Sequence, residues 1–470
     1  MQNNVTIFNL WWNRNNYGAM LTAFALQEII KHFNKTPNSF DDIGLSKKNF
    51  FGNKFTKIYL NTIGKDNSYK TVEELNKITN IFIAGSDQIF RAGLLYKRYS
   101  KYFLDFADAD KKKIAFSASF GVDKEEFLEE TSDKIIEKMK TSLKSFDFIS
   151  VREKSGVEIC KDLFNVDAEW IIDPVFILDK SKYDELIETV TPPLTPPSRG
   201  GEDNQSPHPI TTSLNGNEDN QSPHPITPSL NEKEENQSPH PIIPSLNEKE
   251  EHQSPHRVKE FSGKIVAYVL DTSKEYKKAY KYLEKKYNKK VIETANSNIS
   301  VESWLKSIRD CDLFVTDSFH GMCFAMIFNK PFICLANKSR GRTRFDSICE
   351  MLNVENQCID SILEVMQRDC VFKIDYNVVN QRIEEERQKG FNFLKKALDA
   401  PIQITQEKID ARMKYLEQRV CELEEQNNLS YQLKHFLWEK WLIVYHGYLP
   451  KSIKNIISFF WQIIKKGRKQ

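Results

Sequence analysis

The stretch TDSFHGMCFAMIFNKPF, Thr316 to Phe332, decides how this chain is read. Upstream of it, CDLFVTDS is apolar and closes on small polar residues, as a buried strand does at its end. After His320, the residues Cys323, Phe324, Ile327 and Phe328 recur at helical spacing. A strand therefore hands over to a helix at His320. That places the imidazole in the first helical turn, beside unpaired backbone N–H groups and the positive end of the helix dipole. Such a position attracts anions. A histidine at a strand end also serves simply as a structural residue, so its meaning depends on the rest of the chain.

The same alternation extends both ways from this stretch. After about residue 260 come KIVAYVL, a helix from Ser273, VIE, the helix VESWLKSIRD, DLFVTDS, the helix after His320, PFICLA and a helix around RFDSICEML. Near the start, VTIFN reads as a first strand and YGAMLTAFALQEIIKHF, from Tyr17, as a helix. IFIAGS (Ile81–Ser86), KIAFSASFG (Lys113–Gly121) and FDFISVRE (Phe146–Glu153) read as buried strands with polar ends. Alternating strands and helices favour parallel sheets with right-handed crossovers. The expected architecture is α/β, with two Rossmann-like units facing each other, residues 1–190 and 257–400, the second including a closing helix.

Between them, residues 191–256 are rich in proline, serine, asparagine and glutamate. NQSPHP begins at Asn204, Asn220 and Asn236, a repeat of 16 residues. With so few large apolar side chains it cannot offset the entropy of ordering, and it reads as a disordered insertion. Its histidines, His208, His224, His240 and His256, follow from repeat copying without any selected metal-ligand set.

Composition limits the function classes. At 470 residues and 40% hydrophobic, the chain can build two or three cores. A net charge of +2 gives no case for nucleic-acid binding. Eight cysteines without CxxC pairs read as buried thiols of a reducing cytoplasm. MQNNVTIFNL does not read as a signal peptide, and no apolar run approaches the roughly 18 residues of a spanning helix. Residues 401–470 read as a helical tail. In it, Ile409, Met413, Leu416, Val420 and Leu423 alternate spacings of four and three, either a short coiled-coil seam for a weak homodimer or a helix packed on its own unit. From Lys451, KSIKNIISFFWQIIKKGRKQ forms a basic amphipathic segment suited to peripheral membrane contact or to docking on the fold.

Four polar clusters fall where ligands bind in open α/β sheets, beyond the strands' carboxyl ends. NRNNYGA holds Asn16 and Gly18 at the first strand-to-helix turn, where a plain helix start is an equal reading. GSDQIF puts Ser86, Asp87 and Gln88 straight after a strand, with a capping aspartate as the alternative. SVREKSG presents Arg152 just past another strand, as an anion clamp or a surface ion pair. Ser318 and Gly321 flank His320, and NKSRGRTRFD supplies Lys338, Arg340, Arg342 and Arg344, of which Arg340 and Arg342 are taken as anion contacts. Strand-end placement leads to the expectation that His320 and Arg152 can be removed at little cost in stability.

Taken in order, NYGAMLTAFALQ, IAGSDQIF, ISVREKSG, IIDP (Ile171–Pro174) and TDSFHGMCFAMIFNKPF resemble the polysaccharide pyruvyl transferase family, over roughly residues 1–190 and 260–355. The resemblance implies a GT-B-like arrangement and transfer of a pyruvyl group from phosphoenolpyruvate to a sugar as a ketal. It implies no metal and no cofactor, since phosphoenolpyruvate enters as donor substrate. It also implies a role for Arg152 in donor binding and for His320 in catalysis, and Asp87 is expected to orient or deprotonate a hydroxyl. The expected acceptor is a saccharide of a bacterial exopolysaccharide or capsule, or its precursor, lipid-linked or not. The expected setting is the cytoplasm, on the membrane's inner face if the tail binds lipid. A nucleotide-sugar glycosyltransferase and a non-catalytic glycan-binding protein remain the alternatives.

Overall fold

Seven parallel strands form the first sheet in the order β3-β2-β1-β4-β5-β6-β7: β1 (Asn4–Phe8), β2 (Thr36–Asp41), β3 (Thr62–Gly64), β4 (Ile81–Gly85), β5 (Lys112–Ala118), β6 (Phe148–Val151) and β7 (Glu169–Trp170). Five more form the second, in the order β12-β11-β10-β8-β9: β8 (Ile265–Tyr268), β9 (Val291–Glu293), β10 (Leu313–Thr316), β11 (Phe332–Leu335) and β12 (Cys358–Ile359). This computed structural model describes residues 3–10, 16–41, 52–64, 71–91, 93, 99–190, 261–295, 297–336, 341–367 and 373–425. The repeat region 191–256, the basic segment 451–470, and Lys338 and Arg340 lie outside the described residues.

Both sheets are doubly wound, so the strand order reverses once in each. The reversals fall between β1 and β4, where Val5 pairs with Ile81, and between β8 and β10, where Tyr268 pairs with Thr316. Side chains just past these four strands therefore face open crevices. β4 and β5 are buried on every residue, which is why their sequences run apolar without alternation.

The helix Tyr17–His32 follows β1 and is buried along almost its whole length, because it packs between the first sheet and the second unit. At its start the Tyr17 ring stacks on Trp304, 4.9 Å between centroids and 6° between planes, and its hydroxyl donates to the Ile299 carbonyl at 2.8 Å. The helix Phe319–Ile327 is equally buried on the other side. One hydrophobic cluster runs through both units, from Val5 and Leu21 to Trp304 and Phe324. The described residues before 191 and after 259 make a single compact body.

The chain then returns to where it began. The helix Tyr376–Asp399 packs along Pro174–Ile177, with Gly390 against Ile177, where a Cβ would come within 2.3 Å of Cδ1. Its last carbonyls are capped from the first sheet: Lys112 Nζ donates to Ala397 O at 2.8 Å, to Leu398 O at 2.9 Å and to Ala400 O. The next helix, Gln406–Glu425, docks on the first unit through Lys408, 2.8 Å from Asp147, and Arg412, 2.9 Å from Asp108. Two Rossmann-like units with a returning C-terminal helix make the GT-B-like arrangement. Of the proposed coiled-coil seam, Ile409, Met413, Leu416 and Val420 are half-buried, one residue round the helix from that docking face. The side chain of Leu423 lies outside the described residues.

Candidate functional site

Two strained residues open the site. Ser86 and Asp87, directly after β4, take φ values of 41° and 61°, a left-handed conformation costly for side-chain-bearing residues. In the neighbouring strand Ser117 has φ 47°, where the β5–β6 register shifts between Ala115 and Ala118. The Ser117 hydroxyl donates to the Ile172 carbonyl at 2.8 Å and holds the segment leading to Asp173.

Asp173 is the hub. Its Oδ1 accepts the Val175 N–H at 3.1 Å, so Asp-Pro acts as N-cap and first residue of a one-turn helix. Its Oδ2 accepts Arg152 Nη1 at 2.5 Å and the Ser86 hydroxyl at 3.0 Å, and Arg152 Nη1 also donates to Ser86 Oγ at 3.0 Å. His320 Nε2 stands 3.7 Å from the same Oδ2 and 3.1 Å from Thr22 Oγ1. The imidazole seats against the helix Tyr17–His32 because residue 18 has no side chain; a Cβ there would lie 2.1 Å from Nδ1. The second unit's histidine, just past β10, thus meets an acid of the first unit that also binds Ser86, just past β4.

Around this hub two guanidinium groups and the imidazole meet three buried carboxylates, Asp87, Asp173 and Glu153. Arg152 is 4% exposed, yet its Nε and Nη2, the edge used for side-on bidentate pairing, have no hydrogen-bond partner among the described residues. Its guanidinium lies over the Phe319 ring at 4.8 Å, and that of Arg344 lies over the same ring at 5.1 Å. Arg344 comes from the helix Arg342–Leu352, its Nε donating to the Gly341 carbonyl at 3.3 Å. Burial, and then the charge of Arg152, push the Arg344 guanidinium down from its ordinary range. Glu153, also buried, accepts the backbone N–H groups of Phe120 and Gly121, the latter at 2.9 Å. Burial raises its carboxyl despite the nearby Arg152.

The two aspartates have opposite proton affinities. Burial raises Asp87, and the charges of Arg152 and His320 only partly offset it; its Oδ2 accepts the Leu10 N–H at 3.2 Å. Burial would raise Asp173 too, but His320 and Arg152 hold it well below the usual carboxylate range. Such a divided pair is how one site keeps one carboxylate ionised and another ready to carry a proton.

Of the residues expected from sequence, Ser86, Asp87, Arg152 and His320 come together. The others do not join them. Asn16 and Ser318 are helix N-caps, accepting from Ala19 N at 3.2 Å and Gly321 N at 3.3 Å. Gly18 makes room for His320 rather than for a ligand, and Gly321 for Thr316, whose Oγ1 a Cβ would approach to 2.6 Å. Gln88 accepts from Arg91 at 3.2 Å and packs on Gly121. Arg342 pairs with Asp346 and Asp360 at the surface. Arg344, one helical residue pair further on, occupies the place expected of Arg342, because helical rotation turns it and Phe345 inward. Asp173, Thr22 and Glu153 were not singled out. Asp173 had a visible signal in the acid before Pro174, and Thr22 in a lone hydroxyl within an apolar helix. Arg152 and His320 are not the exposed strand-end residues on which the expected tolerance rests: both are buried and tied to Asp173, so removing either is expected to cost stability.

Fold and site together define a two-unit α/β protein with a buried cluster of paired charges joining its two halves. A family model described as polysaccharide pyruvyl transferase matches residues 16–339, and the chain belongs to that family. No curated protein matches it. Among solved structures it is similar to a UDP-GlcNAc 2-epimerase from Neisseria meningitidis bound to UDP-GlcNAc, at 9% identity and TM-score 0.40, covering 87% of this chain and 99% of that one. Another is the UDP-GlcNAc 2-epimerase from Methanocaldococcus jannaschii, at 8% identity and TM-score 0.40, covering 82% of this chain and 98% of that one. Among the described residues no helix is long and apolar enough to cross a membrane.

Proposed function

We propose that this protein moves a pyruvyl group from phosphoenolpyruvate to two hydroxyls of a sugar in a surface polysaccharide or its precursor, closing a ketal. One observation carries the reading. Arg152 keeps its Nε/Nη2 edge buried and without a hydrogen-bond partner among the described residues, beside a second buried guanidinium, an arrangement suited to a small, multiply charged anion. Phosphoenolpyruvate brings a carboxylate and a phosphate.

The residues then divide the steps. His320 delivers a proton to the donor's methylene carbon, which becomes the methyl group, and the charge developing on the adjacent carbon is met by the ionised Asp173. A first sugar hydroxyl adds there and gives up its proton to Asp87, whose raised affinity suits a base. The carbon–oxygen bond to phosphate breaks as the proton on Asp87 passes to the departing oxygen, so that hydrogen phosphate leaves, held by Arg152 and Arg344. The second hydroxyl closes the ketal and its proton returns to His320, so one donor and one diol yield one ketal and one hydrogen phosphate. No cofactor is required. A lipid-linked acceptor at the cytoplasmic membrane fits the basic 451–470 segment.

The test incubates the full-length protein with phosphoenolpyruvate or UDP-sugars and a panel of glycan acceptors. Phosphate release, with an acceptor mass gain equal to a pyruvyl ketal, is the expected result. Nucleotide release without phosphate from phosphoenolpyruvate would replace this reading with glycosyl transfer.

A further inference from the structure

A cavity of about 170 Å³ lies at the carboxyl ends of β8 and β9. It is separate from the arginine cluster. Successive residues of β8 point to opposite faces of the sheet, so Val266 and Tyr268 join the large core shared with the first unit, whereas Ala267 and Val269 join a smaller core on the outer face. The cavity opens on that outer face.

Its lining has a particular chemistry. Ala267 and Ala295 leave an apolar wall with room above it. Tyr280 projects from the helix Lys274–Tyr287; it is 6% exposed, and its buried hydroxyl has no hydrogen-bond partner among the described residues. A buried hydroxyl without a partner is a cost the fold carries unless a ligand relieves it. Burial, reinforced by the charges of Glu293 and Asp317, keeps this phenol protonated and therefore a donor. At the rim, the exposed Glu293 offers a carboxylate acceptor and Thr272 a hydroxyl. No lysine or arginine is among the described lining residues, so the cavity does not suit a phosphate or carboxylate. A hydroxyl donor, a carboxylate acceptor and an apolar wall beside an aromatic ring match an uncharged polyhydroxylated ring.

We propose that this cavity is a second saccharide subsite, holding one pyranose unit of the acceptor glycan away from the unit that is modified. This rests on the reading that the acceptor is a glycan.

The experiment titrates full-length protein with methyl β-galactopyranoside, methyl β-glucopyranoside and a linear glucose tetrasaccharide by saturation-transfer NMR, and separately with phosphoenolpyruvate by calorimetry. At least one saccharide is expected to bind wild type. Tyr280→Phe, which removes only the hydroxyl, should weaken that binding by about tenfold. Ala295→Leu, which fills the cavity from its loop side, should abolish it. Phosphoenolpyruvate binding should be unchanged in both. Failure of every saccharide to bind wild type, or equal affinity in both folded variants, overturns the proposal. Saccharide binding that falls in the variants while no phosphoenolpyruvate binds anywhere keeps the cavity as a saccharide site and removes the pyruvyl-transfer reading instead.

Discussion

Asp87 and Asp173 share one neighbourhood and respond to it in opposite directions, so removing their charges has different outcomes. Asp173 is depressed: its contribution to stability is present above the ordinary aspartate value, near 3.9, and is lost as pH falls through the lower folded value. Asp173→Asn also leaves Arg152 buried without its counter-charge, so urea denaturation at pH 7 should show a loss of about 3–5 kcal/mol. Asp87 is raised: ionising it in the fold costs stability as pH climbs from the unfolded value to the folded one. Asp87→Asn should therefore cost little or even stabilise at pH 7 while lowering turnover by about 10²–10⁴-fold. A variant that loses stability in step with activity would make Asp87 a structural residue.

At the scale of elements, the imidazole of His320 depends on the helix across from it. Gly18→Ala should displace His320 and cut activity at least tenfold, and the overpacking should cost about 1–3 kcal/mol. Unchanged kinetics would show that the histidine's seat is adjustable. The helix Gln406–Glu425 is bound through Lys408 and Arg412, both almost fully buried. A chain ending at 404 should therefore melt several degrees lower, as measured by circular dichroism, because Asp147 and Asp108 lose their partners. The elements legible in sequence were those with strong apolar runs. IFIAG and KIAFSA sit at the centre of a sheet with both faces covered, whereas TPNSFD buries Pro37, Ser39 and Asp41 and so shows no strand pattern. β3 and β7, of three and two residues, are too short for any periodicity. Arg152 and His320 were legible because each follows a strong strand. Asp173 follows a two-residue strand, and Arg344 was one of four cations that only helical rotation separates.

For the molecule as a whole, the repeat region joins two units that already share one hydrophobic cluster and many direct contacts. Deleting 191–256 shortens a connection whose closure entropy varies only logarithmically with length, so stability should change by less than ~1 kcal/mol. Scanning calorimetry of the shortened chain checks this, and a large fall in melting temperature would give the repeats a structural part.

The capping of the Ala397 and Leu398 carbonyls by Lys112 has a consequence during synthesis. These partners are separated by 285 and 286 residues, and Lys408 reaches the Lys111 carbonyl across 297. At roughly 5–20 residues per second, a ribosome needs about 15–60 s to deliver the caps after the lysine emerges. Throughout that interval the amino end of β5 holds an ammonium group that the finished fold buries, so the first sheet must wait with that edge hydrated or shielded by a chaperone. The repeats lengthen the wait by the time taken to translate them, which makes the nascent first unit, rather than the finished enzyme, the form most exposed to proteolysis and aggregation.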